Sequence, residues 1–193
     1  MAYTSQYPTQ DTDHVKATVT NNEYDWQPYY ATNPLKSVTA SWISSNCWEI
    51  NSDRGQNLPI RFSIDLGASF IIRQMKYVNG HAGDASYWAI NSGLNAVVIQ
   101  GSNSADAFAD LDPTHDTDWT QIWSGNLVKH AEEEPDYKYL DLTSNTVSYQ
   151  YFSLKVASNF GSSVQTCIRR IELQTEDGYG ESTIGPFPTF FVS

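Results

Sequence analysis

Three short stretches hold residue types that could read a sugar. Asn46-Cys47-Trp48-Glu49 sets an indole beside polar groups. Asn79-Gly80-His81-Ala82-Gly83-Asp84 carries an imidazole and a carboxylate, with Tyr87 and Trp88 close behind. Ala157-Ser158-Asn159-Phe160-Gly161 places a phenyl ring between an amide and a glycine. A pyranose offers an apolar C–H face that stacks on an aromatic ring, and hydroxyls that need a few fixed polar partners. The candidate ligand-binding residues are therefore Trp48, His81, Asp84, Asn159 and Phe160. Phe160 stands at a loop tip directly before the last expected strand. The alternative for Phe160 is a core ring that caps the end of the barrel. Trp26 and Trp88 read as packing residues.

Catalytic chemistry finds little support. The four histidines, His14, His81, His115 and His130, form no H-E-x-x-H pattern. No G-x-S-x-G, phosphate-binding loop, G-x-G-x-x-G or C-x-x-C occurs. Asp110, Asp112, Asp116 and Asp118 form an acidic stretch without the glycine and terminal Glu of an EF-hand loop, so a solvated loop is expected. Paired carboxylates for glycoside cleavage are a spatial feature that a linear pattern does not reveal. The expectation is a binding module and not an enzyme.

Short strands must position these loops. Residues 60–67 alternate, with Ile60, Phe62, Ile64 and Leu66 on one face and Gly67 ending the run. Further strands are expected at 71–78, 96–100, 120–123, 137–142, 149–156 and 167–174, each stopped by turn chemistry. In 149–156 the inward residues are Phe152, Leu154 and Val156; in the last strand they are Ile171 and Leu173. Regular short strands of this kind read as an all-β sandwich or jelly roll. The best helical candidate is a turn at 105–111. Residues 31–58 read as a long ordered loop region. The expected division is an N-terminal arm at 1–14, a sandwich at 15–175 and a C-terminal arm at 176–193.

Composition narrows the partners. The chain has 193 residues, 22 acidic against 11 basic, for a formal charge of -11. Such a surface repels phosphate backbones and anionic lipid, so nucleic acid is not expected as a partner. No apolar run is long enough for a membrane span. The stretch Met1-Ala2-Tyr3-Thr4-Ser5-Gln6 lacks the basic and apolar regions of a signal peptide. Aromatics are frequent, with six Trp, twelve Tyr and eight Phe, which suits strands and binding surfaces. Cys47 and Cys167 either pair or stay as buried free thiols. The C-terminal arm is punctuated by Pro186 and Pro188 and ends in Phe187, Phe190 and Phe191. It either docks on another subunit or folds back over its own sandwich.

Taken in order, these segments resemble the discoidin (coagulation factor 5/8 type C) family. Ile60-Arg61-Phe62-Ser63-Ile64-Asp65-Leu66-Gly67 looks like its strand ending in Asp-Leu-Gly. Val98-Ile99-Gln100-Gly101-Ser102-Asn103 resembles its strand before Gly-Ser-Asn, with Trp119 to Trp123 following. Tyr151-Phe152-Ser153-Leu154-Lys155-Val156 resembles its penultimate strand, without that strand's arginines. Ile168-Arg169-Arg170-Ile171-Glu172-Leu173 resembles the closing strand, where Arg170 replaces the first acid. The loop at 31–42 is degraded but keeps Thr39 and Trp42. The resemblance spans about residues 15–175 and implies a discoidin-like, galactose-binding-like jelly-roll sandwich. It further implies recognition of glycans, lipid head groups or proteins through loops at one end. In carbohydrate-binding relatives an aromatic in the last loop often carries the stack, which is the place of Phe160. The resemblance also implies a structural Ca2+ beside Asn33, Thr39 and Glu172. The usual loop Asp is absent, which lowers the ligand charge.

Two functional readings follow. One is a non-catalytic carbohydrate-binding module. The other is a virion structural or assembly protein, such as a head decoration, tail or fibre component, docking on neighbouring subunits through 1–14 and 176–193. Either implies an extracellular or virion-surface setting.

Overall fold

Alternation becomes strand pairing, and every pair of strands is antiparallel. The computed structural model of the protein describes residues 2–18, 26–38, 46–51, 58–81, 91–130, 137–163 and 165–177. In chain order these hold β1 (Tyr3–Gln6), β2 (Val15–Ala17), a 3-10 turn (Pro28–Ala31), β3 (Trp48–Asn51), β4 (Ile60–Phe70) and β5 (Gln74–Asn79). There follow β6 (Ala96–Ser102), α1 (Ala105–Ala109), β7 (Thr120–Asn126), β8 (Lys138–Asp141), β9 (Tyr149–Val156) and β10 (Gln165–Glu176). One sheet has the order β1-β10-β5-β8, with β3 also paired to β10. The other has the order β2-β4-β9-β6-β7. Two antiparallel sheets of this kind make a β-sandwich, as the alternation predicts.

The core lies between the sheets. Ile60, Phe62 and Ile64 of β4 meet Phe152, Leu154 and Val156 of β9, and Ile171 and Leu173 face them from β10. Trp48 and Ile50 of β3 join the same cluster, with the Trp48 ring 4.9 Å from that of Phe62. Burying each such side chain contributes about 1.5–3 kcal/mol before chain entropy is counted. β10 carries a register shift between Ile168 and Arg170. The bulge moves the inward positions from Ile168 to Ile171 and Leu173, which leaves Arg170 and Glu172 on the opposite face.

Three features differ from the sequence reading. β1 lies within the segment expected as an N-terminal arm, and it pairs with the end of β10 from Tyr3↔Glu176 to Gln6↔Leu173. β3 lies within the expected loop region and pairs with the start of β10. It is only four residues long, and its outward residue is a buried acid, so its alternation looks polar. The expected turn at 105–111 is a short helix, capped where the Ser104 hydroxyl accepts from Ala107 N. Residues 178–193 lie outside the described residues.

Part of the outer face of the second sheet, over β4 and β9, is covered rather than solvated. Phe108 of α1 stacks on Tyr151 of β9, ring centroids 4.9 Å apart. Beside them Arg61 points outward by alternation, yet it is wholly buried. Its guanidinium donates to the carbonyls of Asp112 (3.3 Å) and His115 (2.6 Å), to Gln100 (3.0 Å), Ser153 (3.1 Å) and Asp116 (3.1 Å). The acidic stretch expected as a solvated loop is thus partly a strap. Asp116 anchors it, while Asp110 pairs with exposed His115 at 2.9 Å.

Candidate functional site

One end of the sandwich is built from the exits of β5, β7 and β9 and the entries of β6 and β10. The register places them together: Ala96 faces Asn126, Val97 faces Val156, and Ile168 faces Asn79. The stretches after Asn79 and before Gln165, expected to be ligand loops, therefore share this end.

Asn79 organises it. Its amide donates to the carbonyls of Leu94 (2.8 Å) and Val128 (3.0 Å), and its oxygen accepts from Gly80 N (2.9 Å) and Leu94 N (2.7 Å). One buried side chain thus ties 91–95 and 127–130 to the end of β5. Gly80 follows because no larger residue fits: a Cβ there would lie 2.4 Å from the Cys167 sulfur. Further backbone bonds close the platform, from Asn95 N to Ser158 O (2.9 Å), Ser162 N to Asn91 O (3.2 Å) and Leu127 N to Asn95 O (2.8 Å). Lys129 Nζ donates to Asn91 Oδ1 at 2.6 Å.

The last loop stands on this platform. Asn159 braces it from inside, donating to Ser162 O (2.9 Å), Gln165 O (3.0 Å) and Thr166 Oγ1 (3.0 Å) while accepting from Gly161 N (2.9 Å). An amide so committed positions its neighbour. That neighbour is Phe160, partly exposed at the tip, and Gly161 turns the chain with φ of 100°. Val128 is also exposed at this end, at 53%.

The other candidates fall elsewhere. Trp48 is fully buried in the core, so its ring offers no free face to a sugar. His81 is also fully buried and stacks on His130, ring centroids 3.8 Å apart and 7° from parallel. Its Nε2 lies 3.0 Å from the Val38 carbonyl. Both face inward because segments remote in sequence cover them. Asp84 and Thr39 lie outside the described residues, as do Trp42, Tyr87 and Trp88. Asn33 makes a local turn, its Oδ1 accepting from Leu35 N at 2.9 Å. Glu172 sits on the outer face of the first sheet, away from Phe160, and is paired with Lys76 at 3.4 Å.

Sequence reading missed Asn79, which looked like the first residue of an Asn-Gly turn. It also missed the polar layer behind the platform. Arg169 Nε donates to His81 O at 3.1 Å, and Gln165 Nε2 donates to Glu49 Oε1 at 2.8 Å. Burial raises the Glu49 carboxyl to about 8, against the lowering effects of Gln165 and Arg169. Cys47 and Cys167 are both buried and free. Burial pushes the Cys167 thiol up to about 12, and its sulfur lies 3.2 Å from the Ser92 hydroxyl. Such thiols are inert.

No protein family and no curated protein matches the sequence. Solved structures do match the fold. A family 32 carbohydrate-binding module of NanJ from Clostridium perfringens, in complex with galactose, superposes with a TM-score of 0.59 at 13% identity, covering 90% of this chain and all of that one. A second, CpGH89CBM32-5 from Clostridium perfringens in complex with GalNAc-β-1,3-galactose, gives 0.55 at 15% identity over 82% of this chain and 92% of that one. A third, from Streptococcus pneumoniae EndoD, gives 0.58 at 13% identity over 90% of this chain and all of that one. These modules are discoidin-like, galactose-binding-like domains, and the chain has their fold.

Proposed function

We propose that this protein is a non-catalytic carbohydrate-binding module whose ligand end is the platform around Asn79, with Phe160 as its stacking ring. The single observation that carries this reading is Phe160 itself. It is a partly exposed aromatic on a loop held from within by Asn159 and from below by 91–95. A ring fixed in this way loses little freedom when a sugar stacks on it. Exposed Val128, and Lys129 bonded to buried Asn91, lie at the same end of the sandwich. The fold supports the same reading, since the similar modules named above were seen with galactose and a GalNAc-galactose disaccharide.

Galactose-terminated glycans are the first ligands to test, on a glycan array and then by calorimetry. Replacing Phe160 with Ala should weaken binding at least about fivefold, because one stacked ring is worth about 1 kcal/mol or more. Its melting temperature should stay within about 1 °C of the parent, since a half-exposed loop ring contributes little to the core. Absence of saturable binding to any glycan in the parent protein rejects the reading.

The virion-assembly reading stands second. β1 is held by its own sheet, with Asp177 N donating to Ala2 O at 3.0 Å and the Thr4 hydroxyl to Asp177 at 2.7 Å. Docking on neighbouring subunits would then fall mainly to residues after Asp177. Removal of 178–193 should convert oligomers to monomers in sedimentation. Unchanged assembly counts against it.

A further inference from the structure

Ca2+ is surrounded by about six to eight oxygens at about 2.3–2.6 Å, and those oxygens must be free to turn toward it. The oxygens beside the first loop are already committed. The Asn33 side-chain oxygen accepts from Leu35 N (2.9 Å), and its carbonyl accepts from Lys36 N (3.1 Å). Glu172 Oε2 accepts from the Ser5 hydroxyl at 2.8 Å. Lys76 Nζ lies 3.4 Å from both of its oxygens, and Arg170 Nη1 lies 3.5 Å from Oε1. The Lys36 carbonyl accepts from Arg170 Nη2 at 2.5 Å. Of these oxygens, Glu172 Oε1 and the Lys36 carbonyl meet at one guanidinium, that of Arg170. The side chains of Arg170 and Glu172 are each only 5% exposed. A divalent ion placed among them would face Arg170 and Lys76 at short range with little solvent screening. Among the described residues, those beside the first loop do not fit Ca2+.

We infer that Arg170 is a built-in replacement for the metal. It ties residues 28–38 to β10 as a bound cation would, and the domain keeps this loop docked without calcium. The bulge in β10 makes this possible. By shifting register between Ile168 and Arg170, it puts Arg170 and Glu172 two residues apart on one outer face, opposite Val78 and Lys76. The 3-10 turn at Pro28–Ala31 contacts β10, and Lys36 Nζ sits 4.0 Å above the Tyr30 ring. A guanidinium suits the task because its planar fork donates in two directions at once, here to a carbonyl and to a carboxylate.

Thermal unfolding of the unaltered chain in EDTA and in millimolar CaCl2 tests the inference directly. A ligand of the native state raises the melting temperature with its concentration. The two curves should agree within about 1 °C, and a rise of several degrees with calcium alone overturns the proposal. Arg170→Gln should lower the melting temperature by several degrees in both buffers and speed hydrogen exchange across 28–38. Unchanged exchange there also overturns it. If Arg170→Gln does not fold, Arg170→Lys replaces it, since Lys keeps the charge without the fork, and the same faster exchange is required. None of these readouts involves a sugar, so they are independent of the proposed ligand site.

Discussion

Glu49 faces away from the core, because Trp48 and Ile50 on either side of it point inward, yet it is fully buried. One carboxyl oxygen accepts from Gln165 at 2.8 Å, and the other has no hydrogen-bond partner among the described residues. An acid whose folded value stands near 8, above its ordinary 4.5, holds its proton more tightly in the folded state. Below about pH 4.5 both states are protonated and the group costs nothing. As pH rises from there to about 8 the unfolded chain ionises first, and stability falls. Glu49→Gln should therefore match the parent at pH 4 and exceed it by roughly 2–4 kcal/mol at pH 8 in urea unfolding. Equal stability at both pH values would show that the carboxyl is ionised in the folded protein. Phe160 is the contrasting residue, since its replacement should change affinity and leave stability alone.

Among elements, the loop platform depends on one amide. Asn79 satisfies the carbonyls of Leu94 and Val128 and two backbone amides, all at the buried end of β5. Removing it leaves several buried groups unpaired, at about 1–3 kcal/mol each before relaxation. Asn79→Ala should cost on the order of 3 kcal/mol in all. Hydrogen exchange should rise together in 91–95 and 127–130, because Asn79 reinforces the Leu127–Asn95 and Lys129–Asn91 bonds that already join them. Exchange rising in only one segment would break the assignment of Asn79 as their common tie. Asn159 plays the same part within a single loop, so its loss should loosen 157–163 and weaken sugar binding with less effect on global stability.

For the whole molecule, pH acts through opposed groups. Burial raises Asp116, but hydrogen bonds from Lys155, Gln100 and Arg61 outweigh it and bring the carboxyl down to about 2. A depressed acid contributes stability that is present above its ordinary 3.8 and lost as pH falls toward 2. Glu49 works the other way between about 4.5 and 8. The net charge of -11 adds self-repulsion at neutral pH. The melting temperature should therefore peak near pH 4–5 and decline on both sides. A maximum at pH 7–8 would mean that the buried acid of β3 does not govern the neutral range. On the acid side, release of the Arg61–Asp116 strap should make residues 110–119 the first segment cut by pepsin.

The strands were largely legible because alternation is a local property. Ile60, Phe62 and Ile64, or Phe152, Leu154 and Val156, announce a buried face without help from the rest of the chain. The short strands β1 and β3 were not legible, since each is held by β10 from far along the sequence. The loop-tip positions of Asn159 and Phe160 were legible, whereas the burial of Trp48 and His81 was not. Residue type says that a ring can stack on a sugar. Whether it is free to do so depends on what covers it, and the covering segments come from elsewhere in the chain. The same limit hid the burial of Arg61 and Arg170. Alternation correctly sets Arg61 on an outer face, but only the fold lays 110–119 across it. The family resemblance marks Arg170 as a departure from an acidic motif, while only the bulge in β10 turns it toward Glu172 and the Lys36 carbonyl. By itself the sequence determined a sandwich, its acidic surface and an aromatic at a loop tip. Tertiary structure decided which aromatics meet solvent and which charges are shut in, because burial depends on contacts between residues that periodicity cannot relate.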